Sequence, residues 1–224
     1  MPVSVLRGIK AVFAKELLCG RRDLAAGAVM LMFSLSALSC VSMAIGSMQI
    51  APEVLAALLW IILFFSAAAG TDRIFENECS SGTILALKIY GHAQAILFGK
   101  MLYNFCLLMA LSCFTVPVFL IFMDVLPASP GLLFLVITTG LWGFSAAGTL
   151  LAALCGMASI RGGLFTVLTF PVVLPVFLLA ISITKEIFSN PAVVLDSQYL
   201  GMLAYDIVLT CMASVLFDYL WYEG

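Results

Sequence analysis

The chain has 224 residues, of which 64% are hydrophobic and 10% charged, with a formal net charge of −2 and a mean hydropathy of +1.20. A soluble domain carries about 25% charge, so too few polar side chains remain here to cover a water-facing surface. Ordinary soluble folds are excluded, and the apolar stretches are long rather than alternating, which selects membrane-spanning helices over a β-barrel.

In chain order, residues 1–20 predict an amphipathic helix. Val5, Leu6, Ile9, Val12, Phe13 and Leu17 share one face, Arg7 and Lys15 fall outside it, and Lys10 sits at its edge. Such a helix lies in the membrane interface with its cations toward anionic headgroups. Its mixed charge and lack of an uninterrupted apolar core are unlike a cleavable signal peptide. Glu16 projects into the apolar arc. A carboxylate there is costly unless paired. It either pairs with a partner or with this chain's own cytoplasmic loop, or a tilt of the helix brings it to headgroup water, and the tilt is the simpler expectation.

Arg21, Arg22 and Asp23 anchor a first span over 24–46, and Pro52 and Glu53 lead to a second over 54–70. The longest polar stretch follows, 71–100. A third span runs over 101–123, a fourth over 131–159, a fifth over 164–184 and a sixth over 199–220, closed by Tyr219, Trp221 and Tyr222 at headgroup level. The fold class is therefore all-α: a polytopic membrane protein of about six transmembrane helices in one domain, 1–224, with an N-terminal interface helix over 1–22. Of its ten cations, nine flank the N-terminal segment, the second-to-third link or the fourth-to-fifth link, and only Lys185 falls on the other side. Positive-inside asymmetry then places both termini in the cytoplasm.

The cytoplasmic stretch 71–100 carries Asp72, Arg73, Glu78, Ser80, Ser81, Gly82 and Thr83, then an apolar run over 84–90 stopped by Gly91. Polar residues before the run and Gly after it mark a short helix. It either presses into a partner, with Ile84 and Leu87 in the contact, or simply closes a loop. Gly143, Ala147, Gly148, Ala152 and Gly156 in the fourth span have small-xxx-small spacing, which lets helix backbones approach closely. Pro117, Pro171 and Pro175 lie inside spans, where membrane helices tolerate them. Asp206, about 10 Å into the sixth span, reads as an interfacial acid solvated near the outer headgroups with help from Tyr205; the alternative is a substrate or partner contact. His92 reads as a solvated loop histidine. The seven cysteines form no CxxC pair and no Cys/His ligand set. No GxxxxGK[ST], HExxH or GxSxG sequence occurs, and no long basic face for nucleic acid. No catalytic, metal or cofactor residue is therefore assigned.

Several segments together resemble the CcmB family, the membrane subunit of an ABC-type heme exporter. Lys15-Glu16-Leu17-Leu18 through Arg21-Arg22 resembles the family's opening interface helix. Asp72-Arg73-Ile74-Phe75 with Glu78 and Gly82-Thr83 resembles its acid-rich cytoplasmic segment and Gly-Ser/Thr turn. Gly99-Lys100 with Asn104, and Gly148-Thr149-Leu150-Leu151-Ala152-Ala153-Leu154, resemble its third and fourth spans. Arg161-Gly162-Gly163 followed by Phe170-Pro171 and Leu174-Pro175-Val176 resembles the fifth and is the most specific piece. The resemblance covers roughly Phe13 to Ala180. Where the family often has Leu-Glu after the turn, Ile84-Leu85 stands here, so any ion pair of that glutamate is lost or moved.

The resemblance implies a non-catalytic permease subunit of the bacterial inner membrane. Its expected partners are a CcmA-like ATPase that binds ATP, CcmC-like and CcmD-like membrane subunits, a CcmE-like heme chaperone, and a second copy of the chain in a homodimer. Heme is then cargo of the complex, with no cofactor bound by this chain. The residues expected to couple to the ATPase are Glu16, Asp72, Arg73, Glu78, Gly82, Thr83, Ile84 and Leu87. Two rivals remain: an ABC-2-type permease for lipid, polysaccharide or drug, and a membrane scaffold that transports nothing.

Overall fold

A computed structural model describes residues 5–22, 24–46, 48–75, 78, 82, 91–157, 164–190 and 197–223. Among them are seven α-helices: α1 (Val5–Arg22), α2 (Ala25–Ile45), α3 (Pro52–Thr71), α4 (Ala93–Phe122), α5 (Pro130–Met157), α6 (Leu164–Ser189) and α7 (Ser197–Glu223). A 3-10 turn, Asp72–Phe75, continues α3. Six of the helices, α2 to α7, are long and apolar enough to cross a membrane. The chain is a multi-pass membrane protein.

The ends of the helices follow local chemistry. Pro52 opens α3 at its first turn, where the missing N–H costs nothing. Pro117 lies inside α4, and Pro171 and Pro175 inside α6, and both helices run on past them. The third span begins earlier than the hydropathy pattern predicts, at Ala93 instead of Met101, so Lys100 is a helical residue and not part of a loop. At 30 residues α4 is about 45 Å long at a rise of ~1.5 Å per residue, well beyond a hydrocarbon layer of about 30 Å. The fifth span, α6, likewise runs on to Ser189 and takes in Lys185, which was expected in a loop.

α3 is the centre of the bundle. Leu55, Leu59, Trp60, Leu63, Phe64 and Ala67 are all buried. Phe64 meets Phe144 of α5 and Phe170 and Phe177 of α6 edge-on, with centroids 5.7, 5.3 and 5.4 Å apart. Trp60 donates from Nε1 to Thr184 Oγ1 at 3.0 Å, so its one polar atom is satisfied inside the bundle. In contrast α2 fully buries only Met30, Ser34 and Leu38, one stripe at i, i+4 spacing, and leaves the rest of its residues half-buried or exposed. Lipid is as apolar as these side chains, so the bundle is held by close packing and internal hydrogen bonds instead of by burial from water.

Both ends of the described chain lie at one end of the bundle. α1 packs along the start of α4, and Phe217 of α7 lies against Phe75 at 6.2 Å. Gln94 of α4 and Ser214 of α7 exchange hydrogen bonds at 2.8 and 3.1 Å. At the opposite end Lys185 pairs with Glu53 at 2.8 Å, and Ala128 N–H reaches the Ile187 carbonyl at 3.1 Å.

Candidate functional site

α1 does not stand alone as an interface helix; it is docked along the first three turns of α4. Both helices run in the same direction there, because Gly8 meets Ala95, Val12 meets Gly99, and Gly20 meets Tyr103. The approach is close. A Cβ on Gly99 would come within 2.7 Å of Val12 Cβ, and one on Gly8 within 2.8 Å of Ala95 Cβ. Small residues thus set the spacing, and the face α1 buries is Gly8, Ile9, Val12, Glu16 and Gly20, while Leu6 and Leu17 remain exposed.

Glu16 therefore does not reach headgroup water, as the simpler sequence expectation had it. It is buried, and its Oε1 lies 2.9 Å from Lys15 Nζ and 2.9 Å from Lys100 Nζ. Glu78 joins from the segment after α3. Its Oε1 accepts from Lys100 Nζ at 2.9 Å and also from Lys15. Lys100 is fully buried; its third contact is the Ile74 carbonyl at 2.7 Å. Its ammonium has three N–H donors, and each has an acceptor here. The Phe75 ring lies 4.5 Å from Nζ and adds a cation–π contact. Two carboxylates and two ammoniums thus neutralise one another at the meeting point of α1, α4 and the segment following α3.

Charge states follow from these partners. Burial opposes the charged form of Glu78, but the nearby Lys100 ammonium and hydrogen bonds from Lys15 and Lys100 outweigh it and hold the carboxyl below its ordinary range. Burial likewise opposes the Lys15 ammonium, and hydrogen bonds and charge from Glu16 and Glu78 hold it above the usual lysine range. The second carboxyl oxygen of Glu78, Oε2, is buried with no hydrogen-bond partner among the described residues. One turn further along α4, Asn104 extends the polar seam: Thr71 Oγ1 donates to Asn104 Oδ1 at 3.3 Å, and Asn104 Nδ2 donates to Thr149 Oγ1 at 3.4 Å. That ties α3, α4 and α5 together just beneath the charge cluster.

Of the residues expected to couple to an ATPase, the structure brings Glu16 and Glu78 together. Asp72 and Arg73 are exposed on the 3-10 turn beside them, and Gly82 has φ +66°, a left-handed conformation that glycine adopts without strain. Thr83, Ile84 and Leu87, and with them the predicted short helix, lie outside the described residues, as do Arg161, Gly162 and Gly163. Lys100, the residue with most contacts in the cluster, was expected as a cation at the end of the cytoplasmic stretch and, with Gly99 and Asn104, as part of the entry to the third span, with no ion-pair partner assigned. The signal that could have found it is the pair Lys100 and Asn104, polar residues at i, i+4 on an otherwise apolar helix.

In α5, Ala147 and Ala152 are buried. A Cβ on Gly148 would meet Thr71 at 3.0 Å, and one on Gly143 would collide with the Asp206 carboxyl; Gly156 is half-buried. Pro171 is exposed and Pro175 half-buried on α6. Asp206 is not the solvated acid expected from its depth: it is 3% exposed, and Tyr205 turns away to donate to the Val172 carbonyl at 3.0 Å. His92 is exposed immediately before α4.

No curated protein matches the chain. A family model described as CcmB protein matches residues 7–216. That match reaches beyond the resemblance read from the sequence at both ends, from the start of α1 into α7, and takes in Asp206. A six-span bundle without strands among its described residues, matched over nearly its whole length, belongs to the CcmB family, the membrane permease component of heme export in cytochrome c maturation.

Proposed function

We propose that this permease subunit is driven by a separate CcmA-like ATPase, which grips the end of the bundle where α1, the 3-10 turn and the start of α4 meet. The four-charge cluster supports this reading. A force on α1 or on the segment after α3 reaches Lys100, and through it α4, by way of the buried ion pairs to Glu16 and Glu78. The same end carries Arg7, Lys10, Arg21, Arg22 and Arg73, so the positive-inside rule puts it in the cytoplasm of a bacterium, with the chain in the inner membrane. Heme is the cargo of the complex, and CcmC-like, CcmD-like and CcmE-like partners and a second copy of this chain complete it. ATP binds in the partner, since this chain has no phosphate-binding loop.

Residues 71–100 are the coupling segment in this reading, with Ile84 and Leu87 in contact with the ATPase. The test is affinity purification in mild detergent. Replacing Ile84 and Leu87 with aspartate should abolish co-purification of the ATPase while membrane insertion stays at the unsubstituted level. Unchanged co-purification would refute the assignment.

A further inference from the structure

Among the described residues, the buried acidic and basic side chains are Glu16, Glu78, Lys100 and Asp206. The first three belong to one neutral cluster. Asp206 stands apart on α7, and both its carboxyl oxygens are buried with no hydrogen-bond partner among the described residues. Its neighbours are already engaged. Thr210 Oγ1 donates to the Asp206 main-chain carbonyl at 2.8 Å and accepts from Trp142 Nε1 at 3.3 Å. Tyr205 is committed to α6. An unpaired acid in this setting is expensive, and such acids in spans commonly face a partner or a water-filled path.

Asp206 also lines a cavity of about 390 Å3 between α4, α5 and α7, walled by Phe105, Thr138, Trp142, Ile207 and Cys211. The walls are apolar apart from the threonines. Ile207 is 63% exposed and Cys211 is exposed, so the cavity opens on the flank of the bundle that faces lipid. Phe105 and Trp142 meet edge-on at 5.3 Å on its wall, offering aromatic surface to a cation. What fills it must have an apolar body and one hydrogen-bond donor or positive charge.

Depth selects the occupant. Asp206 lies nine residues into α7, about 14 Å along the helix, and so below the headgroups of a bilayer whose hydrocarbon layer is ~30 Å thick. A lipid ammonium stays at the headgroup level and a soluble protein does not reach that depth. A basic side chain on a neighbouring transmembrane helix does. We propose that the groove between α4, α5 and α7 seats a transmembrane helix of a partner subunit, and that a lysine or arginine of that helix pairs with Asp206. The carboxyl now lies against Gly143 and must turn toward the groove to make this pair. This contact lies within the membrane, away from the end assigned to the ATPase, so it stands or falls separately from the motor reading.

The test is made on the assembled complex in native membranes. A benzoylphenylalanine photo-crosslinker replaces Ile207, whose exposure keeps the probe out of the core, and the captured peptide is identified by mass spectrometry. The expected product is a membrane partner cross-linked within about one turn of a lysine or arginine in its span. Asp206→Asn should cut that product roughly tenfold or more. Exchanging the two charges, Asp206→Lys with aspartate at the partner's basic position, should restore it, which a loss of folding would not allow. Cross-links only to lipid or only to a second copy of this chain would overturn the proposal. So would an Asp206→Asn variant with undiminished product, or a charge exchange that restores nothing.

Discussion

Lys100 carries no exposed surface, and its Nζ lies among Glu16, Glu78 and the Ile74 carbonyl. Burying ions costs several kcal/mol each, so such a cluster is weak evidence of net stability, but removing one member leaves the others uncompensated at a cost of about 3–5 kcal/mol. Lys100→Met should therefore lower the thermal transition of the detergent-solubilised protein markedly. Adding Glu78→Gln restores the charge balance, so the double variant should lose less than the two single losses summed; additivity would mean that the two groups do not interact. The cluster also sets a pH window. Glu78 titrates below its reference value of 4.5, so its stabilising share is present above that value and is lost as pH falls through its depressed pKa. Lys15 titrates above its reference value of 10.5, so its share is complete below that value and is lost as pH rises through its raised pKa. Protease cleavage within α1, followed against pH, should be slow between these limits and accelerate in acid and in strong alkali.

At the scale of elements, two glycine contacts decide how helices meet. Gly99 lets α1 settle on α4, and Ala95 beneath it is 3% exposed. Gly99→Leu should lift α1, and a cysteine placed at position 95 should then label with maleimide where it is silent in the parent. Gly143 accommodates the Asp206 carboxyl, so Gly143→Ala should destabilise the α5–α7 contact, and Asp206→Ala added to it should recover part of the loss. The helices themselves were legible in the sequence because each span is an apolar run of sufficient length. Their ends were less so: Gln94, Gly99 and Lys100 made the start of α4 look like loop, although the helix continues through them. The partners of Lys100 were invisible because they come from Glu78, 22 residues away, and from a separate helix at Glu16. Periodicity reports the face a residue occupies, not what another element places against it. Asp206 was misjudged for the same reason. Its place in the outer half of the span suggested headgroup water, but the packing of α5 and α7 buries it.

For the molecule as a whole, the charge cluster, α1 and the 3-10 turn lie at one end of a six-span bundle, and the Lys185–Glu53 pair lies at the other. In the function proposed, the ATPase has its foothold at the first end, where buried ion pairs link α1 to α4. The most direct measurement is sided labelling in a cysteine-free background with an impermeant maleimide, using Arg73→Cys at the cluster end and Met48→Cys at the other, both exposed positions. Arg73→Cys should label only in inside-out vesicles and become shielded when the ATPase subunit is bound, while Met48→Cys should label only from the outer side and ignore the ATPase. Labelling of Arg73→Cys from outside, or labelling from the cytoplasmic side that the bound ATPase leaves unchanged, would contradict the account.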